Sequence, residues 1–141
     1  MRYQSRKSSC GPASLANALE AIGIERTEDE LATLSKQDAT GTSSINLRKA
    51  AEAVGVETEV ISEQRKESAG WAVSSFLRAG SSGLLVVDND EHWVACVGML
   101  GNRYIIADSA DNDLLLFYGL DELLTRWRSQ NGKYCGFFLH N

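Results

Sequence analysis

Four side chains in this sequence have the types and spacing needed for acyl-transfer chemistry: Cys10, His92, Asp108 and Gln4. Cys10 ends the polar run Gln4-Ser5-Arg6-Lys7-Ser8-Ser9 and stands directly before Gly11-Pro12 and an amphipathic segment. Leu15, Ala18, Leu19 and Ile22 recur there at helical spacing, and Gly23 supplies a stop. Pro12 suits a first helical turn, because it has no N–H to leave unpaired and its φ is already helical. The spacing therefore predicts Cys10 at or just before a helix N-terminus. Unpaired N–H groups and the helix dipole favour a thiolate at that place, and the thiolate is the reactive form of cysteine. Gly11 has no Cβ and so lets a substrate carbonyl approach the backbone closely.

His92 opens the apolar run Trp93-Val94-Ala95-Cys96-Val97-Gly98, and Asp108 closes the run Tyr104-Ile105-Ile106-Ala107. If the two runs form a hairpin about Gly101-Asn102, the start of one strand lies beside the end of the other, and His92 meets Asp108. An imidazole oriented by a carboxylate takes a proton from a thiol and later returns it to a leaving amine. Gln4 is the candidate fourth member, donating its side-chain amide to an oxyanion alongside the backbone N–H of Cys10. Six extended residues would span roughly 20 Å, so the segment from Ser5 to Ser9 must fold back for Gln4 to reach the thiol.

The elements that position these groups read as helices first and strands second. A second helix is expected from Glu28 to Leu34, with Thr27 and Glu30 in capping-box spacing. The run Thr40-Gly41-Thr42-Ser43-Ser44 reads as a loop, with Ser43 or Ser44 capping a third helix that carries Ile45, Leu47, Ala50, Ala51 and Val54 and stops at Gly55. Glu57 to Ile61 reads as a half-exposed strand, Ser62 to Ser68 as a solvated connection, and Trp71 to Ala79 as a modest helix. From Gly83 come short apolar runs divided by turn residues: 84–87, 93–100, 104–107 and 114–118. A helix at about 120–128 and a last strand at 135–139 follow. Neighbouring strands are expected to pair antiparallel in one α+β domain spanning residues 1–141.

Composition bounds the chemistry. The chain has 141 residues, 43% hydrophobic and 23% charged, as in soluble globular proteins. No apolar run is long enough to span a bilayer, and the N-terminus has no signal-peptide segment, so a cytoplasmic product without membrane insertion is expected. A net charge of −5 with scattered acidic residues argues against nucleic-acid binding, and Arg2, Arg6 and Lys7 are too few to reverse that. Three cysteines without a CxxC pair suggest neither a disulfide framework nor a zinc site. Cys96 and Cys135 read as buried packing residues, and His140 as a surface turn residue. Trp71, Trp93 and Trp127 read as core or groove-wall residues. Asp108, Asp111 and Asp113 alternate as in a calcium loop, but the glycine and distal glutamate of an EF-hand are missing. No metal or other cofactor is expected.

Taken together, Gln4 six positions before Cys10, the opening Ser-Cys-Gly-Pro-Ala-Ser-Leu, Gly41-Thr42-Ser43, His92-Trp93-Val94-Ala95 and Tyr104-Ile105-Ile106-Ala107-Asp108 resemble the peptidase C39-type domains. These are papain-like cysteine peptidases, best known as leader-cleaving domains of bacteriocin exporters. The resemblance runs from about Gln4 to Leu139. It implies a papain-like fold, with N-terminal helices packed on an antiparallel sheet. It also implies Cys10 as nucleophile, His92 as base, Asp108 as its orienting partner and Gln4 as oxyanion donor. Two positions depart from the exporter pattern: Ser9 stands where an aspartate is common, and Ser109 where a proline is common. The expectation is a free-standing C39-like domain that hydrolyses a peptide or isopeptide bond in a peptide or protein substrate. Two alternatives stand beside it. One is transglutaminase-like acyl transfer, in which an amine resolves the thioester; the other is a catalytically silent peptide-binding module.

Overall fold

The computed structural model describes residues 1–6, 8–36 and 41–141. Lys7 of the approach to Cys10, Thr40 of the expected loop and the rest of 37–40 lie outside the described residues. Among the described residues, five helices and six strands follow in the order α1 (Cys10–Ala21), α2 (Glu28–Leu34), α3 (Ser44–Ala53), β1 (Glu57–Glu63), α4 (Lys66–Arg78), β2 (Ser82–Val87), β3 (His92–Leu100), β4 (Arg103–Ala107), β5 (Leu115–Tyr118), α5 (Leu120–Trp127) and β6 (Tyr134–His140).

Local chemistry accounts for most boundaries. Thr27 Oγ1 accepts from the Glu30 N–H at 3.1 Å while Glu30 accepts from the Thr27 N–H, so the expected capping box opens α2. Ser43 is the residue that caps α3, accepting from the Asn46 N–H at 3.2 Å. Gly23 and Gly55 end α1 and α3 at φ +87 and +96, a conformation that side chains with a Cβ resist.

Two expectations are corrected in the middle of the chain. Ser62 and Glu63 continue β1 instead of joining a solvated connection, because the strand pairs with β6 along its whole length, out to Glu63 opposite Tyr134. Helix α4 begins at Lys66, five residues before the expected Trp71, so the last three residues of the expected connection are helical. Lys66, Glu67 and Ser68 form a polar first turn, which carries no apolar periodicity to read.

All six strands lie in one sheet of order β1-β6-β2-β3-β4-β5, and every neighbouring pair is antiparallel. From β2 to β5 it is a meander, whereas the C-terminal β6 inserts between β1 and β2. Both faces are covered, which is why the strands read as continuous apolar runs. On one face Leu15 and Leu19 of α1, Leu31 of α2 and Leu47 of α3 pack on Leu84, Trp93, Ala95, Ala107, Phe137 and Leu139. On the other, Val73 and Leu77 of α4 and Leu123 and Trp127 of α5 pack on Leu85, Val87, Val94, Cys96, Ile106 and Phe138. Trp93 and Trp127 are core residues as expected. Trp71 is 74% exposed and lies on the wall of a groove between α4 and β1, the other of the two expected settings. His140 lies in β6 and not in a surface turn; its Nδ1 is 2.8 Å from Ser81 Oγ. Among the described residues, no helix is long and apolar enough to cross a membrane.

Candidate active site

Helix α1 begins at Cys10, with Ser9 as its N-cap. The Ser9 hydroxyl does not cap the helix; it donates to the Arg6 carbonyl at 2.8 Å and accepts from the Arg6 N–H at 3.0 Å. The Ser9 N–H also donates to the Arg6 carbonyl, at 3.1 Å. These bonds bring Ser9 back against Arg6. The first-turn N–H groups of a helix have no intrahelical acceptor, so Cys10 sits in a field that favours its thiolate. Fully buried Ser14, one turn on, donates to the Trp93 carbonyl at 2.9 Å and ties α1 to the start of β3.

His92 is the first residue of β3 and pairs with Val87 of β2. Asp108 follows the last residue of β4. His92 Nε2 lies 2.7 Å from Asp108 Oδ1, so the hairpin brings the pair together. With Nε2 engaged, Nδ1 is the ring nitrogen left for the Cys10 thiol, which hydrogen-bonds His92. The order along the imidazole is thus thiol, ring, carboxylate.

A β-bulge decides this. Residues β3 and β4 pair as Gly98 with Ile105 but as Cys96 with Ile106, so Val97 is an extra residue on β3. Beyond the bulge Ala95 faces Ala107, which sends Asp108 to the same sheet face as Val94 and His92. Without the extra residue the register would slip by one, and Asp108 would project from the opposite face.

Electrostatics follow from the geometry. Burial pushes the Cys10 thiol up, but hydrogen bonds from His92 and from the Trp93 backbone, the charge of His92 and the Gly11 backbone together bring it below its ordinary value. Burial alone would lower the His92 pKa; hydrogen bonds to Asp108 and Cys10 and their charges raise it to about 9. Asp108 is 2% exposed, and burial works against its charge. Bonds from His92, Arg126 and the Ala110 N–H nonetheless hold its carboxyl well below the usual range. Such opposed shifts favour a thiolate–imidazolium pair over the neutral pair.

Gln4 lies beside this group. Its backbone N–H donates to the Ser109 carbonyl at 3.1 Å, and its Oε1 accepts from Ser109 Oγ at 2.8 Å. Its Nε2 donates to the Arg6 carbonyl at 2.8 Å. The carboxamide is therefore oriented from both ends, and Ser109, one of the two departures from the exporter pattern, supplies one of those bonds.

Arg126 of α5 was not legible from the sequence. Its Nη2 lies 2.6 Å from Asp108 Oδ2, and its Nε and Nη2 grip Asp88 at 3.0 and 2.9 Å. Asp88, Asn89 and Asp90 of the β2–β3 turn all have φ between +53 and +66. Left-handed backbone costs roughly 1–2 kcal/mol per residue with a Cβ, and Asp and Asn are among the types that tolerate it best. The triple Asp-Asn-Asp was the available signal for that turn, but nothing in the spacing named Arg126 as its partner.

Burial holds the Cys96 thiol up and inert, while Cys135 is half-buried with its Sγ 3.8 Å from Ser62 Oγ. Among the described residues no group of histidine, cysteine and acidic side chains is arranged to hold a metal ion.

Comparisons with known proteins agree with this architecture. The peptidase domain of Streptococcus ComA, a bifunctional ABC transporter involved in a quorum-sensing pathway, matches with a TM-score of 0.76 at 20% identity, covering 98% of this chain and 95% of that one. A double-glycine-motif protease from an AMS/PCAT transporter, solved in complex with the leader peptide, matches with a TM-score of 0.68 at 20% identity, covering 97% of this chain and 86% of that one. At these identities the likeness is one of fold. An uncharacterised protein of Methanothermobacter thermautotrophicus is 47% identical over 53 residues, a match covering 38% of this chain and only 37% of that protein's length. A model described as the Peptidase C39 family matches residues 1–129, and with that match the chain belongs to the Peptidase C39 family.

Proposed function

We propose that the protein is a cysteine peptidase that cleaves a peptide bond through a thioester on Cys10. The observation that carries the reading is the 2.7 Å bond between His92 Nε2 and Asp108 Oδ1, with the Cys10 thiol hydrogen-bonded to the same ring. The Cys10 thiolate attacks the substrate carbonyl carbon. The carbonyl electron pair moves to oxygen and is held by the Gln4 amide and the Cys10 N–H. Collapse of the intermediate breaks the C–N bond, and His92 protonates the departing amine. Water then gives its proton to His92 and attacks the thioester, which releases the acid and restores the thiol. Asp108 keeps the ring oriented throughout.

A double-glycine leader is the first substrate to test, because a structural neighbour described as a double-glycine-motif protease was solved with a leader peptide bound. Incubating the protein with a synthetic peptide that carries Gly-Gly ahead of several further residues, and reading products by mass spectrometry, is expected to show cleavage. The Cys10→Ala variant, folded by circular dichroism, is expected to show none. Equal turnover by that variant would overturn the reading.

A further inference from the structure

One guanidinium group joins two segments that approach His92 from different directions. Arg126 Nη2 lies within 2.6 Å of Asp108 Oδ2 and 2.9 Å of Asp88 Oδ2, and Arg126 Nε adds a bond of 3.0 Å to Asp88 Oδ1. The Arg126 carbonyl also accepts from the Asp88 N–H at 3.3 Å. Arg126 Nη1 donates to Tyr118 Oη at 3.1 Å, which anchors the group at the end of β5. Asp88 begins the left-handed triplet that leads, through Glu91, into His92. A turn of three left-handed residues relaxes unless something outside it holds it. Here that hold comes from Arg126 and from Asn89 Oδ1, which accepts from the Gln130 N–H at 2.9 Å just beyond α5.

We propose that Arg126 is a positioning residue: by gripping Asp88 in the strained β2–β3 turn and Asp108 at the end of β4 with one guanidinium group, it fixes the His92 ring against Cys10. The inference rests on the reading of Cys10 and His92 given above. The guanidinium is suited to the task because its planar fork bonds one carboxylate at two points and still reaches a second. A lysine presents one compact charge and does not bridge the two in that way. The charged groups around the ring are Cys10 from α1, Asp108 after β4, and Asp88 and Arg126 beyond them.

The test follows alkylation of Cys10 by iodoacetamide, read by intact mass from pH 5 to 10, in the full chain and in Asp88→Asn and Arg126→Lys. Asp88→Asn removes the charge and one of the two side-chain acceptors by which Arg126 holds the turn, and leaves the pair between Arg126 and Asp108 in place. If the ring loses its position, the thiol loses its partner and its acid limb moves up. The expected result is a fall of about tenfold in rate near pH 6, while the rate at pH 10, where any thiol is ionised, stays within about twofold. An ion pair that served stability alone would lower the melting temperature without moving that profile. Profiles in both variants that superpose on wild type would overturn the proposal, and should Arg126→Lys not fold, Asp88→Asn alone decides it. An ordinary thiol profile in the wild-type protein would instead remove the reading of Cys10 itself.

Discussion

Arg126 and Asp108 stand 18 residues apart in the chain, yet Nη2 of one lies 2.6 Å from Oδ2 of the other. The Asp108 carboxylate is thus bonded on both oxygens, by His92 and the Ala110 N–H on Oδ1 and by Arg126 on Oδ2. These bonds orient both oxygens and hold the carboxyl in its charged form.

Removing the charge while keeping the shape tests that arrangement. Asp108→Asn deprives the imidazolium of its main partner, so the alkaline limb of the peptide-turnover profile, where His92 loses the proton that the leaving amine needs, is expected to move from about 9 towards 6.5. Peptide turnover should fall by roughly 100-fold or more. A pH–rate profile of each form checks both outcomes, and an unmoved alkaline limb would refute the assignment of Asp108.

The same carboxylate makes a prediction about stability. Its pKa is depressed in the folded state, so it contributes stability that is present above its unfolded value of about 3.8 and is lost as the pH falls below that value. His92 is protonated in both states across this window and does not contribute to the slope. Urea midpoints are expected to fall further between about pH 5 and about pH 2.5 for wild type than for Asp108→Asn. Parallel losses would show that Asp108 carries no such linkage.

Gln4 is separable from the thiol by choice of reaction. Gln4→Ala is expected to lower peptide turnover by about 100- to 1000-fold, the usual effect of losing one oxyanion donor. Alkylation of Cys10 by iodoacetamide should be unchanged, because substitution at a saturated carbon builds no oxyanion. Equal losses in the two assays would mean that Gln4 holds the helix start and does not stabilise the intermediate.

Ser14 ties the helix that begins at Cys10 to the strand that begins at His92. Its hydroxyl donates at 2.9 Å to the Trp93 carbonyl in a fully buried setting. Ser14→Ala is expected to cost about 1–3 kcal/mol in urea unfolding and to slow alkylation of Cys10 near neutral pH. Lost stability with unchanged reactivity would show that other contacts set the spacing of α1 and β3.

Much of this site is written in local sequence, because local rules decide it. Pro12 and the apolar spacing from Leu15 start a helix at Cys10. Thr27, Ser43, Gly23 and Gly55 set helix ends through bonds or dihedrals within a few residues. His92 and Asp108 are near neighbours through one hairpin, so turn residues and strand runs suffice to pair them. Other features needed the whole molecule. The bulge at Val97 chooses the sheet face of Asp108, yet a single extra residue in an apolar run leaves no pattern to read. The insertion of β6 between β1 and β2 depends on pairing between segments at distant places in the chain. The exposure of Trp71 depends on which side of α4 meets the sheet. The grip of Arg126 on Asp88 and Asp108, and of Ser109 on Gln4, is chosen by tertiary packing alone, since an arginine or a serine has no spacing signature for a partner that only the folded chain brings within reach.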